Sequence, residues 1–189
     1  MSWLGKITGG ALGFLLGGPL GAAFGVALGH QVDQGTLDLT EHQDGLSAEE
    51  AEQLNQVYLS ALFQVMGHVA KADGRVSVEE IGCARDMMVK MQLTPPDRSW
   101  AMRLFNQGKQ PQFDLASTLS ELRDIVRGRS LLIRFFIVAQ TEMALADGPM
   151  SMAKARLLLD FCDALGFSRY EFFGIRTRLE AARRFGRFG

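Results

Sequence analysis

The chain has 189 residues, of which 47% are hydrophobic and 22% are charged, and its formal net charge is −1. This near-neutral charge argues against a dedicated nucleic-acid-binding protein, because such a protein would carry a strong basic excess. The length allows one soluble domain of about 140 residues, enough to bury a real core, next to an N-terminal segment of very different composition.

The first predicted element is a membrane-spanning helix in residues 1–30. No residue from Ile7 to Gly29 is charged, and these 23 residues, at ~1.5 Å rise each, span roughly 34 Å, enough to cross a hydrocarbon core of about 30 Å. Each interior glycine would cost such a helix about 1 kcal/mol in water, but in lipid the backbone must satisfy its own hydrogen bonds, which favours a helix. A signal peptide is the alternative, although its apolar region would be shorter.

Glycine recurs at every fourth position of this anchor. A helix stripe without side chains lets a second helix approach to backbone distance, as in the small-xxx-small packing of membrane helices. We therefore expect a glycine zipper through which the anchor self-associates as a homodimer. The stripe consists of Gly5, Gly9, Gly13, Gly17, Gly21, Gly25 and Gly29.

A polar segment separates the anchor from the rest of the chain. Residues 31–46 contain four acidic residues but no lysine or arginine, and their apolar residues show little periodicity, so we predict an acidic linker. From residue 47 onward, apolar residues recur at i, i+3, i+4 and i+7, and no strand alternation interrupts them. The pattern predicts an all-α domain of about seven helices over 47–182, followed by a basic tail at 183–189.

Capping signals predict where these helices begin and end. In a capping box, a serine caps the helix and a glutamate three residues later reaches back to the backbone of the serine. Pro95 after Thr94 fits a first helical turn, and Gly166 is a stop signal. The predicted boxes are Ser47 with Glu50, Ser77 with Glu80, and Ser168 with Glu171; the other predicted helices follow Thr94 or span Asp114–Val126, Leu131–Ala146 and Ser151–Leu165.

One short phrase occurs twice, as AKADGRVSVEEI and as ALADGPMSMAKA. Each copy ends a long apolar helix and opens the next one, so Asp73 and Asp147 are equivalent points of a helical-hairpin repeat. The glycine that follows each aspartate, Gly74 or Gly148, can adopt the positive φ of a tight turn. The serine three residues further on can then cap the next helix.

The repeated phrase also resembles half of an EF-hand calcium loop, but its ligand count excludes that motif. With Gly74 at the invariant glycine, Val69 and Lys71 would stand at positions one and three, where they supply no carboxylate. The second copy places Lys154 at position twelve. We favour plain turn-and-cap chemistry without a cofactor. The alternative is a looser divalent-metal site formed by Asp73, Glu79, Glu80 and Asp147.

The order of these parts resembles a known family. WLGKITGGALGFLLGG…LGHQVD, FQVMGHVAKADGRVSVEEI…MQL and LIRFFIVAQTEMALADGPMS are similar to the membrane-anchored DjlA-type DnaJ-like co-chaperones, in their anchor and in their central TerB-like (tellurite-resistance type) helical domain. The resemblance implies a bacterial inner-membrane protein with a single dimerising span, a cytoplasmic helical domain, and a C-terminal J domain that stimulates a DnaK-type chaperone ATPase. The most distinctive run passes through Gly67, His68, Lys71, Gly74 and Arg75.

The sequence departs from this family pattern in two places. The His-Pro-Asp tripeptide of the J domain does not occur in it, and the second repeat has Ala153 and Lys154 where the first has two glutamates. We therefore expect a membrane-tethered interaction module without its own J domain, a chaperone-related scaffold or regulator linked only indirectly to a DnaK-type chaperone system or a J-domain protein. The alternative function is a TerB-like metal-binding or tellurite and stress-response protein.

No catalytic group is predicted. No serine, cysteine or carboxylate pair has the spacing of a triad or a metal centre, so we expect no enzyme, and we assign His68 a structural or capping role. Cys83 and Cys162 lie in helical stretches without a CxxC motif, which indicates buried free thiols in a reducing compartment. The arginines of the C-terminal helix indicate a solvated face, with attraction to anionic membrane lipid as the alternative.

Two arguments about membrane topology disagree. Lys6 precedes the anchor and no basic residue follows it until Lys71, so the positive-inside rule favours a cytoplasmic N-terminus and an exported domain. The family resemblance implies the reverse. We expect a cytoplasmic domain, because one lysine is a slight bias and because the unpaired cysteines suit a reducing compartment.

Overall fold

The computed structural model describes residues 47–186. The predictions of an anchor with a glycine stripe and of an acidic linker concern residues outside this range. Within it the regular structure is seven helices without a strand, which confirms the predicted all-α class. None of these helices is long and apolar enough to cross a membrane. The helices are α1 (Ala48–Lys71), α2 (Val78–Lys90), α3 (Pro95–Gly108), α4 (Leu115–Ile125), α5 (Ser130–Ala144), α6 (Met152–Leu165) and α7 (Arg169–Gly186).

Side-chain caps fix the starts of most helices. At Ser47 and at Ser77 both halves of the capping box are present, because each serine hydroxyl accepts the N3 amide and each N3 glutamate accepts the amide of its serine. Ser151 accepts the backbone amide of Lys154 in the same way. The α7 start is different: Ser168 accepts the amide of Glu171, but the Glu171 carboxylate accepts a hydrogen bond from Arg134 of α5 at 3.2 Å.

Helix α1 is the centre of the domain. It packs against α3, α4 and α5, and most of its residues from Tyr58 to Ala70 are buried. The Tyr58 hydroxyl donates to the carbonyl of Leu132 at 2.8 Å, and the Gln140 amide donates to the carbonyl of Leu62 at 3.1 Å. Because these contacts advance along both helices in the same direction, α1 and α5 run roughly parallel and end side by side.

Helices α1 and α3 touch through their backbones. A Cβ atom on Gly67 would lie 2.0 Å from the carbonyl oxygen of Phe105, and one on Gly108 would lie 1.7 Å from the carbonyl oxygen of Gln64. Real side chains cannot approach backbone atoms so closely, so each glycine is required by the partner helix. This contact gives a packing reason for the glycine that opens the family-like run at residue 67.

Candidate functional site at the paired helix turns

The two copies of the repeated phrase form neighbouring turns, one joining α1 to α2 and the other joining α5 to α6. Gly74 has φ of 102° and Gly148 has φ of 154°, so both turns use the positive φ that the Asp-Gly pairs predict. Because α1 and α5 are parallel neighbours, their C-terminal ends bring Asp73 and Asp147 to the same end of the domain. We call this region the turn end.

A buried lysine joins the two turns. Lys154, in the first turn of α6, is only 1% exposed. Its Nζ lies 2.7 Å from Glu80 Oε1, 3.0 Å from Asp73 Oδ2 and 3.2 Å from Asp147 Oδ1. An ammonium group has three N–H donors, and here each of them faces a carboxylate oxygen. The lysine therefore ties three segments together, the two turns and the start of α2.

The innermost member of this cluster, Glu80, is fully buried. One carboxylate oxygen accepts from Lys154, and the other accepts from the backbone amide of Ser77 at 2.7 Å and from its hydroxyl at 3.1 Å. The same glutamate thus completes a helix cap and an ion pair. Burial alone would lower the pKa of Lys154, but its hydrogen bonds to the carboxylates outweigh that effect and raise the pKa above its usual range. Lys154 is therefore charged at neutral pH.

The pairing follows the repeat itself. Glu80 is the third residue after the capping Ser77, and Lys154 is the third residue after the capping Ser151. Equivalent positions of the two copies therefore meet face to face, with opposite charges. What looks in the sequence like a defect of the second copy is the residue that neutralises the first.

Three of the four candidate metal ligands come together, but around an amine. Asp73, Glu80 and Asp147 all contact Lys154, whereas Glu79 is exposed and does not. In the described residues 47–186, no group of three or more histidine, cysteine, aspartate or glutamate side chains is arranged to hold a metal ion. The ammonium of Lys154 stands at the place where the carboxylates converge.

Two large apolar side chains are exposed beside this cluster. Val78 is 80% exposed and Met152 is 76% exposed, and each follows directly after the capping serine of its repeat copy. Asp73 and Asp147 keep 30% and 32% of their side chains exposed. We call these four residues together with the exposed Glu79 the turn surface. Sequence reasoning did not find its apolar pair, although both residues follow a predicted cap.

The remaining reactive side chains have structural surroundings. His68 is half-buried, its ring lies 5.5 Å from that of Phe113, and burial lowers its pKa. Burial also raises the pKa of Cys83 to about 12 and that of Cys162 to about 11. Both cysteines are unpaired. Because their pKa values are raised, they are protonated thiols at neutral pH and poor nucleophiles.

Comparison with known proteins assigns both parts of the chain. Residues 1–47 match the family model described as co-chaperone DjlA transmembrane domain, and residues 59–177 match that of tellurite resistance protein TerB. Three relatives, each named co-chaperone protein DjlA, come from Coxiella burnetii, Legionella pneumophila and Photorhabdus laumondii. They are 37%, 36% and 36% identical to this chain over 100%, 88% and 86% of its length. No solved structure gives a significant match.

These relatives are longer than the chain. It spans 70% of the Coxiella protein, but only 56% and 58% of the Legionella and Photorhabdus proteins. The anchor match together with the TerB match confirms the predicted inner-membrane location in a bacterium and the predicted N-terminal anchor. The chain therefore belongs to the DjlA family of membrane-anchored, chaperone-related proteins with a TerB domain.

Proposed function

We propose that this chain is the membrane-tethered interaction module of a co-chaperone, and that its helical domain binds a protein of a DnaK-type chaperone system at the turn surface. The proposal is supported by the relatives, which are named co-chaperones. The observation that carries it is the exposed apolar pair Val78 and Met152, which occupy equivalent positions in the two copies of the repeat. The ion pairs of Lys154 hold the two turns together beside this pair.

A single exposed apolar residue needs no explanation, but this pair is built on a fixed base. Their helices begin at capped serines, and the ion cluster behind them prevents the two turns from moving apart. Interaction sites gain affinity when their apolar groups are ordered before binding, because less conformational entropy is then lost. Rigid presentation of Val78 and Met152 therefore favours binding over solvation as the role of this surface.

The charge of the cluster indicates the chemistry of the partner. Three carboxylates surround one ammonium, so the cluster has a formal charge of −2. The exposed parts of Asp73 and Asp147, with Glu79 beside them, can accept further hydrogen bonds. We expect the partner segment to present apolar side chains flanked by basic groups.

Site-specific cross-linking in intact membranes tests this function. A photo-reactive amino acid at Val78 or Met152 should cross-link to a DnaK-type chaperone or a J-domain protein, identified by mass spectrometry, whereas one at Tyr170, which is 87% exposed on α7, should not. Replacing both Val78 and Met152 with serine should weaken capture of the same protein by the full chain. Identical products from all three positions, or none from the turn surface, would contradict the proposal.

The anchor contributes to the same proposal by self-association and by orientation. We propose that the glycine stripe pairs two anchors and that the helical domain faces the cytoplasm. Replacing Gly17 and Gly21 with leucine should abolish association in an in-membrane assay, whereas replacing Leu15 and Leu16 with isoleucine should not. Equal behaviour of the two pairs would reject the zipper.

Orientation has its own test. Alkaline phosphatase fused after Gly189 should be inactive and a green fluorescent protein fusion should be bright, because only a cytoplasmic terminus gives this combination. An active phosphatase fusion would place the domain outside the cytoplasm and out of reach of a DnaK-type chaperone system.

A further inference from the structure

The outward side of α7 carries two large exposed side chains and two arginines. Tyr170 is 87% exposed and Phe173 is 50% exposed. At about 100° of rotation per residue, Thr177 and Arg184 project between Tyr170 and Phe173, whereas Arg178 projects about 80° from Tyr170, at the edge of this side, and all three are exposed. We call these five residues the outer face of α7. Its orientation is fixed by the core, because the residues on the opposite side, such as Phe172 and Ile175, are buried.

The two arginines of this outer face are electrostatically available. Arg169 and Arg176 are paired with the carboxylates of Asp163 and Glu180, and Arg183 donates to a backbone carbonyl of the α5–α6 turn. Within residues 47–186, neither outer-face arginine forms an ion pair, and the two carboxylates that flank the outer face, Glu171 and Glu180, are paired with Arg134 and Arg176. The outer face therefore combines exposed aromatic rings with uncompensated positive charge.

The anchor keeps the domain close to a bilayer. Residues 1–47 match a transmembrane domain, and the predicted linker of 16 residues could extend at most about 55 Å. Tethering makes the encounter of the domain with the membrane intramolecular, so even a weak attraction is populated. Aromatic side chains are enriched at membrane–water interfaces, and anionic headgroups attract arginine.

We propose that the outer face of α7 lies on the anionic surface of the membrane that holds the anchor. Tyr170 and Phe173 enter the interfacial layer, and Arg178 and Arg184 contact lipid phosphates. The exposed apolar pair of the turn surface does not suit this role, because its neighbours are carboxylates that an anionic surface would repel. The domain thus rests on lipid through α7 and leaves the turn surface available to a protein.

Spin labelling of the full chain tests the proposal. A nitroxide on Thr177→Cys would sit in the middle of the outer face with both aromatic residues kept. The native thiols should react slowly, because burial raises the pKa of Cys83 to about 12 and that of Cys162 to about 11. We expect collisions of this label with a water-soluble nickel complex to fall by more than half between detergent and nanodiscs of phosphatidylethanolamine and phosphatidylglycerol that hold one chain each.

Matched variants decide the outcome. A label on Met152→Cys should stay accessible in both settings. Replacing Tyr170 and Phe173 with serine, replacing Arg178 and Arg184 with glutamine, or using phosphatidylcholine alone should each restore collisions at the label on residue 177. Equal accessibility in detergent and nanodiscs would overturn the proposal. Protection that survives these changes, or that requires two chains in one nanodisc, would also overturn it, because a protein surface would then be the cover.

Discussion

The turn end and the crossing of α1 with α3 fix helices by opposite means. At the turn end, an ammonium lies between three carboxylates, and charged atoms fill the contact. At the crossing, Gly67 and Gly108 contribute no side chain, and backbone meets backbone. The first contact should depend on pH and charge, and the second only on volume. The bundle is therefore held in register by a few specific contacts in addition to its apolar core.

The largest effect should come from removing the charge at the centre of the turn end. Lys154→Met keeps an apolar stem of similar length but leaves the fully buried Glu80 without its partner. Breaking a buried ion pair in this way costs about 3–5 kcal/mol. Urea unfolding of the full chain in detergent should show this loss. Combining Lys154→Met with Glu80→Gln should recover part of it, and a double variant no more stable than the single one would contradict a charge-based contact.

A smaller loss should follow from adding a methyl group at the crossing. Gly67→Ala places a Cβ against the carbonyl of Phe105, and the helices must separate to make room. Overpacking of this kind costs about 1–3 kcal/mol, against about 1 kcal/mol gained from the higher helix propensity of alanine. The same urea titration should therefore give a net loss, and a more stable protein would show that the crossing has room for a side chain.

The dependence of stability on alkaline pH should distinguish the turn end from the crossing of α1 with α3. The pKa of Lys154 is raised in the folded protein, so its stabilisation is complete below the unfolded pKa of about 10.4 and is lost as the pH rises through the folded pKa. Above that unfolded value, stability should fall by at most about 1.4 kcal/mol per pH unit for this one group. The decline should be shallower in Lys154→Met and unchanged in Gly67→Ala. Burial raises the pKa of Tyr58, so this residue adds to the decline equally in all three proteins.

The smallest effect should have the opposite sign. Gly82 lies in α2 and faces open space, since no atom of a neighbouring element lies within 4 Å of the place that its Cβ would take. Gly82→Ala should therefore stabilise the domain by up to about 1 kcal/mol through helix propensity alone. Measured beside Gly67→Ala, it separates the intrinsic preference of a helix for alanine from the demand of the crossing. A loss of stability at Gly82 would mean that this position has an unseen packing role.

Local signals in the sequence predicted much of the fold. The serine caps and the Asp-Gly turns act over three or four residues, so the starts of α1, α2 and α6 could be read from neighbouring letters. The repeat also predicted that the two turns lie close together. Of the box expected at Ser168, the serine half is present, because Ser168 accepts the amide of Glu171, and the Glu171 carboxylate also forms an ion pair with Arg134 on a different helix.

The two decisive contacts depend on tertiary register, which neighbouring letters do not contain. In the sequence, Lys154 only weakened the case for a metal site. Its role as the ion-pair partner of Glu80 was not predicted, because the two residues are 74 positions apart. The signal that could have indicated this ion pair is the opposite charge of Glu80 and Lys154 at equivalent positions of the repeat. No packing role was predicted for Gly67 or Gly108, because nothing in the neighbouring sequence shows that each faces a carbonyl of the other helix.

The central place of α1 has a mechanical consequence. This helix of 24 residues is the first of the described helices and the nearest in sequence to the anchor, so any pull from the anchor would enter the domain at the N-terminal end of α1. Since α1 is buried between α3, α4 and α5 and runs roughly parallel to α5, that load acts along the helix axis and must shear many side-chain contacts at once. A load on a peripheral helix would instead peel contacts away one by one. The domain is thus joined to its anchor through its most extensively packed helix.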